Sequence, residues 1–217
     1  MKKFKLTSEF IVDISGVKLF RIKALIEFGN VKAGDLGGYI EKEENLSHMG
    51  DAWVSDDARI SGNAQVFGNA QVFGDAQVFG DAWVFGDAQV FGDAQVFGDA
   101  QVFGDAWVFG NARVFGDAWV FGNARVSGNA RVSGDAQVFG DARVSGDKDY
   151  AYAHGFGSCN RTTTFFRLKD GDVGVRCGCF YGTLAQFRDK VCETHGETKK
   201  AQEYLMLADL MEIRFKN

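Results

Sequence analysis

From Asp51 to Gly146 the chain repeats one six-residue phrase sixteen times: Asp or Asn, Ala, a variable residue, Val, Phe or Ser, then a corner that is nearly always Gly. The Ala place never varies between Ala52 and Ala142, and the Val place departs once, at Ile60. A strand sends alternate side chains to opposite faces, so Ala and Val share one face while the variable residue and Phe or Ser share the other. Gly with Asp or Asn interrupts the strand every sixth residue, as a corner does. Short strands joined by regular corners make a solenoid. Three hexads form an eighteen-residue triangular coil, so sixteen give five and a third coils. At ~4.8 Å per coil the prism is about 25 Å long, with Val and the small Ala inside.

Charge is unevenly spread. Residues 51–147 hold five Arg and thirteen Asp, a net −8, and the whole chain carries −5, which leaves +3 for the ends. An acidic shaft argues against non-specific nucleic-acid binding, which needs a basic surface. Pro is absent, in keeping with strands paired along a ladder. No apolar run reaches the length of a signal peptide or a membrane span. The four Cys all fall between Cys159 and Cys192, a pattern read as a reducing compartment. A cytoplasmic protein with no membrane partner is expected.

Three parts are expected: an N-terminal cap (1–49), the repeat shaft (50–147) and a C-terminal α+β domain (148–217). In the cap, Phe10–Ile14 and Val17–Leu25 alternate around Ser15-Gly16, a hairpin signal. The Gly-rich, then acidic stretch after it fits the six-residue register poorly at Gly38 and Asn45 and reads as an irregular first coil covering an open edge. In the C-terminal part, Thr163–Leu168 and Val173–Phe180 read as strands around Asp170-Gly171. Thr183 and Gln186 form a capping box for a helix that Gly196 ends. A last helix over about 198–213 places Tyr204, Leu205, Ala208 and Met211 on one face. This domain is expected on the open end of the prism.

Aliphatic and small residues recurring at six resemble the hexapeptide-repeat, left-handed parallel β-helix family. The expected fold is therefore an all-β solenoid, a left-handed parallel β-helix with a β cap and a small α+β domain. Phe28–Ser47 and CGCFYGTLAQFRDKVCETHG (177–196) look like the ends of repeat proteins encoded by phages and prophages. That resemblance implies work inside an infected host cell. Relatives of this fold include acyltransferases and zinc carbonic anhydrases, so the fold alone implies no activity.

Histidine decides against the enzymes. The acyltransferases use a His base and the carbonic anhydrases three His on zinc, whereas the shaft here contains no His, Cys, Glu, Lys or Tyr. Corner Asp, Asp56 and Arg are a poor kit for acid–base or nucleophilic work. No catalytic residue, cofactor or metal is assigned. Cys177-Gly-Cys179 with Cys192 and His195, and Cys159 beyond, could supply zinc ligands or be ordinary structural thiols. The corner Asp and Asn stack in three columns, one of them Asn63, Asp81, Asp99, Asp117 and Asp135. Such columns are solvated and hydrogen-bonded, or else loaded with cations.

The outward face differs from side to side. Residues eighteen apart share a side, and one side keeps Phe67, Phe85, Phe103, Phe121 and Phe139 without a break, with Trp83 and Trp119 between Gln65, Gln101 and Gln137. The other sides change Phe to Ser and carry Arg113, Arg125, Arg131 and Arg143 towards the C-terminus. The rings either stack coil on coil for stability alone or form a contact surface. The expected function is non-enzymatic: a rigid acidic rod whose aromatic side serves self-association, as a homo-oligomer, and partner binding. One rival is an inhibitor of host defence that blocks a host protein or sequesters a small nucleotide near the four Arg. The other is an acyltransferase.

Overall fold

The computed structural model describes residues 2–157 and 161–216. Repeats Asp51–Gly146 form sixteen short strands, β4 (Trp53–Val54) through β19 (Arg143–Val144), which together with the coil of the cap before them wind into a three-sided parallel solenoid of about six turns. Each strand pairs in parallel with the strand eighteen residues on, as in Gln101 with Trp119 and Val102 with Val120. The first side carries Arg59, Gln77, Gln95, Arg113 and Arg131. The second carries Gln65, Trp83, Gln101, Trp119 and Gln137. The third carries Trp53, Gln71, Gln89, Trp107, Arg125 and Arg143.

The inward face is as the six-residue pattern predicts. Every repeat Ala and every repeat Val or Ile is fully buried. Corners turn on glycine in the left-handed region: Gly86 has φ 73°, and a Cβ there would lie 2.9 Å from the backbone nitrogen of Gly104, one coil on. A side chain is thus refused both by the torsion and by the neighbouring coil. Asp56 stands once in the glycine place, at φ 55°. Its carboxylate accepts from the Gly74 N–H at 3.0 Å, which holds the unfavourable torsion.

Both ends are closed. Strands β1 (Phe4–Val12) and β2 (Lys18–Ala24) form the expected hairpin, with Asp13 Oδ1 accepting from the Ser15 and Val17 N–H groups across its turn. β3 (Leu36–Ile40) pairs antiparallel with β2 and parallel with Arg59–Ile60, so cap and first side are one sheet. The misfit at Gly38 and Asn45 has a cause. Gly38-Tyr39-Ile40 takes the Ala-variable-Val places, but an added Cβ at Gly38 would come within 2.6 Å of Ala58 O. Asn45 is fully buried, and its amide donates to the Gly62 and Ala64 carbonyls at 3.1 and 2.8 Å, filling ladder positions that no earlier strand supplies. Lys3 plugs a neighbouring edge, donating to Gly50 O and Ala52 O at 3.2 and 2.7 Å. Burial pushes its ammonium down to about 8, with Asp51 opposing.

At the other end, β20 (Tyr150–Ala153), β21 (Thr163–Arg167), β22 (Val173–Cys177) and β23 (Phe180–Thr183) form an antiparallel sheet. The single strand expected over Val173–Phe180 is therefore two, reversed at Gly178 with φ 59°. β20 was not expected from the sequence; Tyr-Ala-Tyr-Ala follows a short 3-10 turn, Asp147–Asp149, at the last corner of the shaft. Helices α1 (Leu184–His195) and α2 (Lys199–Phe215) cover this sheet, α1 starting at the expected Thr183–Gln186 capping box. Phe165 faces the helices and Phe166 the end of the shaft core, so alternation along β21 joins two cores. The domain sits on the last coil, where Gln137 N–H donates to Thr164 Oγ1 at 2.9 Å.

Candidate functional site

The Phe places settle into ladders. On the second side Phe67, Phe85, Phe103, Phe121 and Phe139 stack at 4.7–4.8 Å. Shorter stacks run over Phe73, Phe91 and Phe109 on the third side and over Phe79, Phe97 and Phe115 on the first. These rings are half-buried and hold coil to coil, the stabilising role that stacking alone provides. Only the second side keeps its stack along the whole shaft.

What the second side leaves to solvent is tryptophan. Trp83 packs edge-on against Phe67 and Trp119 against Phe103, each with centroids 6.1 Å apart, yet they stay 42% and 39% exposed. At the N-terminal end this side opens into a groove of about 640 Å³ lined by Glu43, Glu44, His48, Gln65, Phe67 and Trp83. At the C-terminal end Tyr181 packs against Phe139 at 4.2 Å and the Arg176 guanidinium lies 5.5 Å over the same ring. All seven aromatic residues picked from the sequence thus lie on one side, between a groove and the C-terminal domain.

The four arginines do not form one cluster. Arg113 and Arg131 are stacked neighbours on the first side, while Arg125 and Arg143 lie on the third. Arg125 rests over the Trp107 ring at 4.4 Å, and Arg143 donates to the carbonyls of Asn123 and Ala142. Two of the four are therefore engaged within the shaft, which weakens a common anion site. Sequence reasoning missed the Arg125–Trp107 pair, although its spacing of eighteen is the rule that paired the Phe residues. It also missed Arg176 and Tyr181, which no periodicity connects to the shaft.

The acidic columns are partly self-satisfied. Asn63 donates to Asp81 and Asn69 to Asp87, both at 3.1 Å, and Asn123 to Asp141 at 3.4 Å. Asp99 has only Asp above and below it in its column. Asp99→Asn should therefore raise the thermal midpoint by about 2 °C, since an amide beside Asp117 replaces like-charge repulsion with a hydrogen bond. EDTA should leave the midpoint unchanged. A scan of both samples by calorimetry checks this. Among the described residues, no three His, Cys, Asp or Glu side chains gather closely enough to hold a metal. Cys177 accepts from Thr163 Oγ1 at 3.2 Å, and Cys159 lies outside the described residues.

A family model for the YdcK beta solenoid repeat matches residues 58–74, 118–134 and 124–138. The shaft is a β-solenoid repeat. All three matches lie within the shaft and speak for its coils, not for an activity. No curated protein matches the chain. No helix among the described residues is long and apolar enough to cross a membrane.

Proposed function

We propose that this protein works by contact rather than by catalysis: a rigid acidic rod whose second side binds protein surfaces, a second copy of the chain first among them. The observation that carries the reading is the pair of exposed indoles, Trp83 and Trp119, set on an unbroken stack of five Phe rings. Exposed Trp on a rigid apolar floor is the kind of residue that dominates interface energies. The shaft offers no His, Cys, Glu, Lys or Tyr for chemistry, which favours this reading over an acyltransferase. From the resemblance of the end segments to phage and prophage repeat proteins, the setting we propose is the cytoplasm of an infected cell. Sequestration of a nucleotide is the second reading, favoured only by Arg113 and Arg131, which stack in register without an ion pair among the described residues.

The test is the mass of the purified protein by light scattering. The wild type should be an oligomer, and Trp83→Ser with Trp119→Ser should shift it to monomer while leaving the melting curve cooperative. An unchanged mass in that variant would remove the second side as an assembly surface.

A further inference from the structure

Three of the four shaft tryptophans pack alike on a Phe of the shaft, while Trp53 is buried against Phe28 of the cap. Trp83 on Phe67, Trp107 on Phe91 and Trp119 on Phe103 all have centroids 6.1 Å apart and rings inclined by 74–76°. Their outer faces are therefore equivalent in chemistry and differ in what covers them. Trp107 is half-buried because Arg125, its partner on the next coil, lays a guanidinium over it at 4.4 Å. The residues in Arg125's place are Gln101 above Trp83 and Gln137 above Trp119. Both indoles stay exposed, at 42% and 39%. A second guanidinium, Arg176, lies over Phe139 at the end of the same side. Twice, then, this chain covers a shaft aromatic ring with arginine, once on the third side and once on the second.

Charge points the same way. The second side is bordered by two corner columns, one with Asp81, Asp99, Asp117 and Asp135, the other with Asp87, Asp105 and Asp141, all exposed. Its shaft residues include no Lys or Arg, and Glu44 lines the groove beside Trp83, where Glu43 is paired with Lys2. An aromatic strip between acidic rows favours a cationic occupant, both in encounter and in contact.

Resting on the contact-surface reading above, we infer that the second side takes a basic segment of a partner protein, with two arginines three residues apart in an extended chain, one guanidinium on Trp83 and the other on Trp119. The spacing selects the conformation. Trp83 and Trp119 are two coils apart, about 9.6 Å. In a polyproline II chain residues i and i+3 return to one side after ~9.3 Å, whereas a β-strand offers about 6.8 or 13.6 Å on one face. A second copy does not fit this role. Among the described residues, the shaft arginines whose guanidinium has no partner are Arg59, Arg113 and Arg131, and along the first side they sit three coils and one coil apart, about 14.4 and 4.8 Å. The basic segment and a second copy therefore compete for one strip.

The probe is a synthetic Arg-x-x-Arg peptide with Gly, Ser and Pro elsewhere, titrated into the full-length protein at low salt. Indole fluorescence and light scattering are read together. Saturable binding is expected, with the peptide lowering the mass of the oligomer. The dissociation constant should rise about tenfold when both arginines become lysine, since ammonium stacks less well on indole. It should rise by a similar factor for the Arg-x-Arg peptide. In the protein, Gln101→Arg should weaken binding as much, because it covers Trp83 from within as Arg125 covers Trp107. Arg already occupies that place in the repeat, so folding is retained. No saturable binding, equal affinity for the lysine or Arg-x-Arg peptide, or no effect of Gln101→Arg would each overturn the inference. The two readings fail differently. If Trp83→Ser with Trp119→Ser lowers the mass but the peptide does not bind, the contact surface stands and its arginine partner falls. If neither happens, both fall.

Discussion

Val102→Asp is expected to leave no cooperatively folded protein. Val102 is fully buried at mid-shaft, paired in register with Val84 and Val120 and surrounded only by Ala and Val. A carboxylate there has no donor within reach and cannot escape to water, at a cost of about 5 kcal/mol or more. That is a large part of the stability of a domain this size. The neighbouring Gln101→Asp is the control, since Gln101 points outward between Trp83 and Trp119 and its change should lower the midpoint by only a few degrees. Circular dichroism melts of the two variants test the register directly. A soluble, cooperative Val102→Asp protein would mean that the interior is not the one described.

Deleting six residues should abolish self-association without unfolding the protein, and deleting eighteen should not. The hexads Asp87–Gly92 and Asp93–Gly98 are identical, so removing Asp93–Gly98 leaves Ala and Val in every inward place. It rotates everything after it by one side, however. The second side would then keep only Phe67, Phe85 and Phe109 as a stack. Trp119 would move to the first side, and Trp107 would arrive above Trp83 on the second, its ring still covered by Arg125, with Arg143 beyond. Removing Asp87–Gly104 takes out one whole coil and keeps every column, only shorter. Light scattering should therefore find a monomer for the six-residue deletion and an oligomer for the eighteen-residue one. Both should melt cooperatively, because the C-terminal domain keeps its own last coil, and the N-terminal hairpin, whose cleft along the first side reaches Gln95, would face Gln101 or Arg113 in that place. An oligomer in both would place the assembly surface outside the aromatic side.

Period was legible from the sequence alone. Gly38-Tyr39-Ile40 and Asn45-Leu46 were not, because their fit to the first coil depends on what lies twenty residues on, two more than the repeat spacing, rather than on their neighbours. For the same reason, the break of Val173–Phe180 into two strands depended on Gly178 taking φ 59°, which composition does not announce. The candidate site divides likewise. That seven aromatic residues share one side followed from counting by eighteen, since a solenoid turns a one-dimensional period into a column. Which of them reach solvent did not follow. All five Phe rings are half-buried by their own stacking, and Trp107 is covered by Arg125, leaving Trp83 and Trp119 exposed. Backbone pairing repeats at a fixed interval and so can be read from spacing. Side-chain cover depends on the identity of the residue one coil above and on Tyr181 and Arg176 arriving from another domain, and those meet the strip only in the folded protein.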